Sequence, residues 1–196
     1  MLQIGEGEVS AVKKVSREDI VNAACALVRK SGMSALNARA LAGVLGCSTR
    51  PIYFTFENMD EVKSKVVRCI DGVYDGYLKA EVASGKYPPF KAYGMGYIRF
   101  AREEREFFKY KFMRDRTGER VDDDGLGEII EVIKRVTGLD EESARLFHLE
   151  NWIFVHGIAA MFATSYIDFD EELISAMLTD VFEGLKARYK TKGRGE

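Results

Sequence analysis

The amino-acid sequence predicts an all-α protein of about nine helices, in which an N-terminal three-helix head containing a helix-turn-helix precedes a larger helical body. Three observations carry this. The only prolines are Pro51, Pro88 and Pro89, so the stretch from Phe90 to Glu196 lacks the strongest helix breaker. Apolar residues recur at three- and four-residue spacing behind Ser and Asn caps. Finally, 196 residues with 46% hydrophobic side chains suffice for a substantial core, which argues against a mainly disordered chain.

Residues 1–12 mix Glu6 and Glu8 with glycine and read as a loose tail with no signal peptide. The first helix signal is Ser16 with Asp19 three residues on, a capping box; Ile20, Ala23, Ala24, Leu27 and Val28 follow at helical spacing, and Ser31-Gly32 supplies a stop. Asn37 caps a second, short helix with Ala38, Leu41, Ala42 and Leu45 as its stripe, ended by Gly46. Ser48 is the expected cap of a third helix, with Pro51 in its first turn; because Pro51 cannot donate, the Ser48 hydroxyl is expected to accept from Arg50 instead. Ile52 and Phe56 face the core there, while Thr49, Arg50 and Tyr53 lie on another side.

A longer helix opens at Asn58, with Glu61 in the box position, and runs to about Ser84-Gly85 through Val62, Val66, Cys69, Ile70, Val73 and Tyr77. Two helices follow Pro88-Pro89, the second carrying Phe107, Phe108, Tyr110 and Phe112. The Asp122-Asp123-Asp124-Gly125 loop starts another, Leu126 to Val136, which Gly138 ends. The last two run over Glu141 to Ala163 and Glu171 to Lys190. The former is apolar nearly all round after Trp152 and must be covered on more than one side. Its uncharged run, Asn151 to Ile167, falls short of the roughly 20 apolar residues of a spanning helix.

Formal charge is only −2, but it is unevenly spread. Between Lys13 and Phe56 stand seven cations, Lys13, Lys14, Arg17, Arg29, Lys30, Arg39 and Arg50, against Glu18 and Asp19, a net of five positive charges that leaves the rest seven negative. A basic head on an acidic body suggests that the head alone meets a polyanion. Cys25, Cys47 and Cys69 form no close pair, which fits a reducing, cytoplasmic compartment and no zinc site. No Gly-rich phosphate loop follows a strand, no calcium-loop spacing occurs, and no nucleophile–base pair stands at a recognisable spacing. His148 and His156 read as structural, so no metal or cofactor is expected.

A short helix, a turn of about three residues and a second short helix match the helix-turn-helix, whose second helix lies in the major groove. Arg50 then reaches O6 and N7 of guanine, Thr49 a base edge or thymine methyl, and Tyr53 a phosphate; Arg39 is placed for a backbone phosphate.

These residues resemble a known family. The run from Ser16 to Val62, through Gly32, Asn37-Ala38-Arg39, Leu41-Ala42, Gly46-Cys47-Ser48, Pro51-Ile52-Tyr53 and Phe56, is similar to the DNA-binding domain of TetR-type (tetracycline-repressor-like) transcriptional regulators. The resemblance implies a DNA-contacting set of Arg39, Ser48, Thr49, Arg50, Pro51, Tyr53, Phe54, Thr55 and Lys63. It departs from the usual pattern at Thr55, often His or Tyr, and at Met59, usually a lysine whose phosphate contact Lys63 takes over in part. Trp152, His156 and Gly157 resemble the Trp…His-Gly signature of one class of that family's C-terminal domains. This implies an effector site between helices and a homodimer through the last two helices, with double-stranded, pseudo-palindromic DNA as partner and no membrane.

The aromatic group of Tyr93, Tyr97, Phe100, Phe108, Phe112, Met113 and Trp152, together with His156, is the candidate lining for an unknown small-molecule effector; an aromatic stripe is also what plain core looks like. Arg99, Arg102 and Arg105 either meet an acidic ligand or form a solvated face. The domains expected are a head at 13–60 and a ligand-binding, dimerising body at 61–196. Function is read as a ligand-responsive repressor, with an all-helical enzyme or a protein-binding adaptor as the alternatives.

Overall fold

The computed structural model describes residues 15–119 and 126–192. The expected tail, Lys13, Lys14, the Asp122–Gly125 loop and the last four residues lie outside them. Among the described residues all regular structure is helical: α1 (Arg17–Ser31), α2 (Ala38–Leu45), α3 (Arg50–Thr55), α4 (Met59–Ser84), α5 (Pro89–Glu103), α6 (Arg105–Phe112), α7 (Leu126–Thr137), α8 (Glu141–Ala163) and α9 (Glu171–Lys192). A 3₁₀ turn, Met33–Ala35, links α1 to α2.

Local chemistry sets most boundaries. The Ser16 hydroxyl accepts from Asp19 N at 3.1 Å while the Asp19 carboxylate accepts from Ser16 N at 2.9 Å, closing the box that starts α1. Asn37 Oδ1 accepts from Ala40 N at 2.9 Å to start α2. Gly46 ends α2 at φ 65° and ψ 31°, a left-handed conformation that favours glycine.

Two caps differ from expectation. Ser48 does not cap α3: Thr49 precedes the helix with φ −71° and ψ −14°, already helical, and its carbonyl accepts from Ile52 and Tyr53. A cap at Ser48 bonds best to the third residue on, and that residue is Pro51, which has no N–H. At α4, Asn58 Oδ1 takes the amides of both Asp60 and Glu61 at 3.0 Å. Glu61 answers one residue further back, accepting from Glu57 N at 2.9 Å, because its other oxygen pairs with Arg17.

One contiguous apolar core joins head and body. Ile20, Ala24 and Val28 of α1 meet Leu41, Ile52 and Phe56, then Val62, Val66 and Ile70 of α4, and the core continues through Phe100, Phe107, Phe108 and Phe162. A second cluster, Ile130, Ile133, Ala144, Phe147 and Tyr189, knits α7, α8 and α9. The Gly94-Met95-Gly96 run is a packing device. A Cβ on Gly96 would stand 3.1 Å from the Tyr77 carbonyl and 3.2 Å from Leu78 Cα, so only glycine lets α5 lie this close to α4. A Cβ on Gly94 would stand 2.9 Å from Leu178 Cδ2 of α9, the end of a side chain that can turn aside.

By length and composition α8 could cross a membrane. Here Ala144, Phe147, Ile158, Ala159, Phe162 and Ala163 are buried among neighbouring helices. All three cysteines are free, and the Cys25 thiol is pushed up to about 12, first by burial and then by a hydrogen bond with Cys69. That is a packed thiol with little nucleophilic character.

Candidate nucleic-acid interface and ligand cavity

The α2–turn–α3 unit is anchored from one side. Ile52 and Phe56 are buried in the core, and Thr55 donates its hydroxyl back to the Pro51 carbonyl at 2.8 Å. The opposite side faces water. Ser48, Arg50, Tyr53 and Phe54 are exposed, Phe54 at 91% and Tyr53 at 55%, with Thr49, Pro51 and Thr55 half-buried beside them. Val44 of α2, absent from the sequence-predicted set, is also exposed. Tyr53 and Phe54 leave two aromatic rings of a six-residue helix in water.

The charges of the head divide into two groups. Arg17 pairs with Glu61 and donates to the Thr55 carbonyl at 3.1 Å, with its guanidinium 4.2 Å from the centre of the Phe56 ring. Arg29 Nε stands 2.8 Å from Glu104 Oε2, an ion pair whose angle falls short of a hydrogen bond, and its guanidinium lies over Phe107. These two cations therefore tie the head to α4 and α6, which the sequence reading did not foresee. Lys30, Arg39 and Arg50 are exposed and make no ion pair among the described residues. Lys63 reaches Asp60 at 3.0 Å, so the lysine expected to help at Met59 already has an acidic neighbour.

A cavity of about 330 Å³ lies in the body between α4, α5, α7, α8 and α9. Of the expected effector residues, Tyr97 and Trp152 line it, as does Tyr93. Phe100 and Phe108 do not: they are wholly buried on the core side, where they pack on Tyr74, Tyr77, Tyr97 and each other. Phe112 sits in that same aromatic cluster, and Met113 is exposed just past the end of α6. Sequence reading missed Tyr74, Phe90, Lys91, Asn151 and Phe182, which complete the walls.

His156 stands behind the cavity, stacked between Trp152 and Phe108 at centroid distances of 5.0 and 5.8 Å. Burial lowers its pKa from the ordinary 6.5 and raises that of the Tyr97 phenol. Tyr97 Oη and His156 Nδ1 share a hydrogen bond of 2.8 Å. Arg99, Arg102 and Arg105 point elsewhere and are engaged by Glu103, Asp168 and Ser165. Among the described residues no cluster of His, Cys, Asp or Glu could hold a metal.

No family model matches the chain, and no curated protein matches it. Among solved structures it is similar to a proposed regulatory protein, SCO4313, with a TM-score of 0.62 and 23% identity over 85% of this chain and 95% of that one. It is also similar to a TetR family member, SCO1917, from Streptomyces coelicolor A3, with a TM-score of 0.54 and 16% identity over 84% and 96%. The chain thus has the TetR-type fold, a helix-turn-helix head on an all-helical body.

Proposed function

We propose that the chain is a sequence-specific, DNA-binding transcriptional regulator, a ligand-responsive repressor of cytoplasmic location rather than an enzyme. The observation that carries this is the outer face of α3. Arg50, Tyr53 and the almost fully exposed Phe54 stand together there on a helix whose other side is locked into the core. Arg50 reads a guanine edge, Ser48, Thr49 and Phe54 meet bases or thymine methyls, and Arg39, Tyr53 and Lys63 hold phosphates. Pro51 and Thr55 fix the turn that presents them. Head and body divide at residues 60 and 61, in the first turn of α4, and Val62 just beyond the boundary still packs into the head core.

A homodimer through α8 and α9 supplies the second head. Leu146, Leu149, Ile153 and Met161 of α8 are exposed, Ile153 at 59%, and a second copy covers them. Coupling to the cavity runs along α4, which carries Tyr74 and Leu78 on the cavity wall and Val62 in the head core. The rise per residue of an α-helix sets these ends roughly 20 Å apart. A ligand that tilts α4 changes the separation of the two heads and breaks their match to successive major grooves.

Gel shifts on the DNA upstream of the chain's own gene, run from low to high salt, test the reading. A regulator gives a saturable shift that weakens with salt and is competed poorly by unrelated DNA. No shift at any salt would favour the adaptor or enzyme alternatives.

A further inference from the structure

Among the described residues one lysine and no arginine stand in the cavity wall. The lysine is Lys91, and its Nζ donates to Thr179 Oγ1 at 2.8 Å, with the Tyr87 ring 5.2 Å away. An ammonium has three donors, so two remain uncommitted; Thr179, having accepted, keeps its own proton to give. No carboxylate pairs with Lys91 among the described residues, and burial alone lowers its pKa. Among the described residues Glu183 is the only acid on the lining, and it is exposed to solvent. The polarity of α5 adds to this. Pro88 and Pro89 open the helix at the cavity edge, no side chain caps it, and its first turn has no acidic residue, so the positive end of the helix lies beside the same ammonium.

Most of the remaining lining is apolar or aromatic, with Tyr74, Phe90, Tyr97, Trp152 and Phe182 forming the walls and His148 and Asn151 as further polar side chains. The Asn151 amide is held in place by its bond to the Phe147 carbonyl at 2.8 Å. A cavity of roughly 150 Å³ holds one benzene, and this one is about twice that size. Resting on the regulatory reading above, we infer that the effector is a small amphipathic monoanion, an apolar body of about two fused rings whose carboxylate sits on Lys91 and the Thr179 hydroxyl.

Calorimetric titration of the full chain with naphthoate and with neutral naphthylmethanol tests this. The acid should bind about tenfold or more tighter than the alcohol, the effect of a charge-assisted hydrogen bond in a desolvated site. Lys91→Met should abolish the preference while Lys91→Arg keeps it, and Lys86→Met, which removes a nearby surface lysine, should leave it intact. Equal affinity for acid and alcohol, or a preference that survives Lys91→Met, would overturn the inference, as would failure of both probes to bind. The gel shift is a separate readout: a shift without naphthoate binding sinks the ligand class alone. Naphthoate binding without any shift sinks the regulatory reading and leaves the anion site standing.

Discussion

Arg50 and Arg39 carry like charges, and the proposed function gives them different work. Arg50 opens α3 on the exposed face, and its replacement by Ala should cost about 1–3 kcal/mol on the preferred site and relax discrimination there. Arg39→Ala should weaken binding to all sequences and reduce the salt slope by about 1. Anisotropy titrations on preferred and scrambled duplexes at several salt concentrations separate the two; unchanged discrimination in Arg50→Ala would remove its role as a base reader. Phe54 contributes almost nothing to the fold, so Phe54→Ala should stay within about 0.5 kcal/mol of wild-type stability while weakening DNA binding. His156 gives a pH dependence of known sign. Burial lowers its pKa, so the unfolded chain takes up the proton first. The stability it contributes is complete above the unfolded value of about 6.5 and is lost as pH falls below it. Urea midpoints should therefore decline between roughly pH 7 and pH 5.5 more steeply in wild type than in His156→Gln. Single residues were also the most legible scale. Asn37 and Ser16 could be read as caps because their donors lie within the next three residues, whereas Ser48 failed because the donor it needed is Pro51.

Helices are what connect the head to the cavity. The Arg29–Glu104 pair joins α1 to the start of α6, with Glu104 only 11% exposed and Arg29 52% exposed. Arg29→Ala leaves that carboxylate without its cation and should cost about 1–2 kcal/mol, discounted for the exposed arginine. Adding Glu104→Gln should restore part of the loss, since a neutral amide is cheaper to bury. A urea-denaturation double-mutant cycle reads this directly, and strict additivity would mean the pair carries no coupling. Helix existence could be read from period and caps, and α8 starts and stops where the pattern places it. Which face of a helix meets empty space could not. Tyr97 and Phe100 share α5 three residues apart, yet one borders the cavity and the other the core. Both faces are aromatic, so periodicity alone does not distinguish filling from lining. Lys91 was missed for a related reason: a lysine in a first turn reads as solvated until α9 brings Thr179 across to it.

At the scale of the molecule, near-neutral charge conceals a division of labour that pairing partly offsets. Two of the basic residues of the head are spent on carboxylates of α4 and α6, which leaves Lys30, Arg39 and Arg50 as the described cations facing outward. The proposed dimer covers the exposed apolar stripe on α8 and would link folding to assembly, so the melting temperature should rise with protein concentration. Ile153→Glu should remove that dependence and yield monomers by analytical ultracentrifugation. The TetR-type fold could be anticipated from the Ser16–Val62 pattern, because a helix-turn-helix is encoded locally in caps, a turn glycine and two anchoring apolar residues. The cavity arises between distant segments and had no such local signature. DNA recognition is tested most directly by measuring affinity for the chain's own upstream duplex against a scrambled duplex across salt concentrations. Sequence-specific regulation predicts a saturable complex at least about a thousandfold tighter on the native site, with log affinity falling linearly in log salt. Equal affinity for both duplexes, or no complex at low salt, would contradict it.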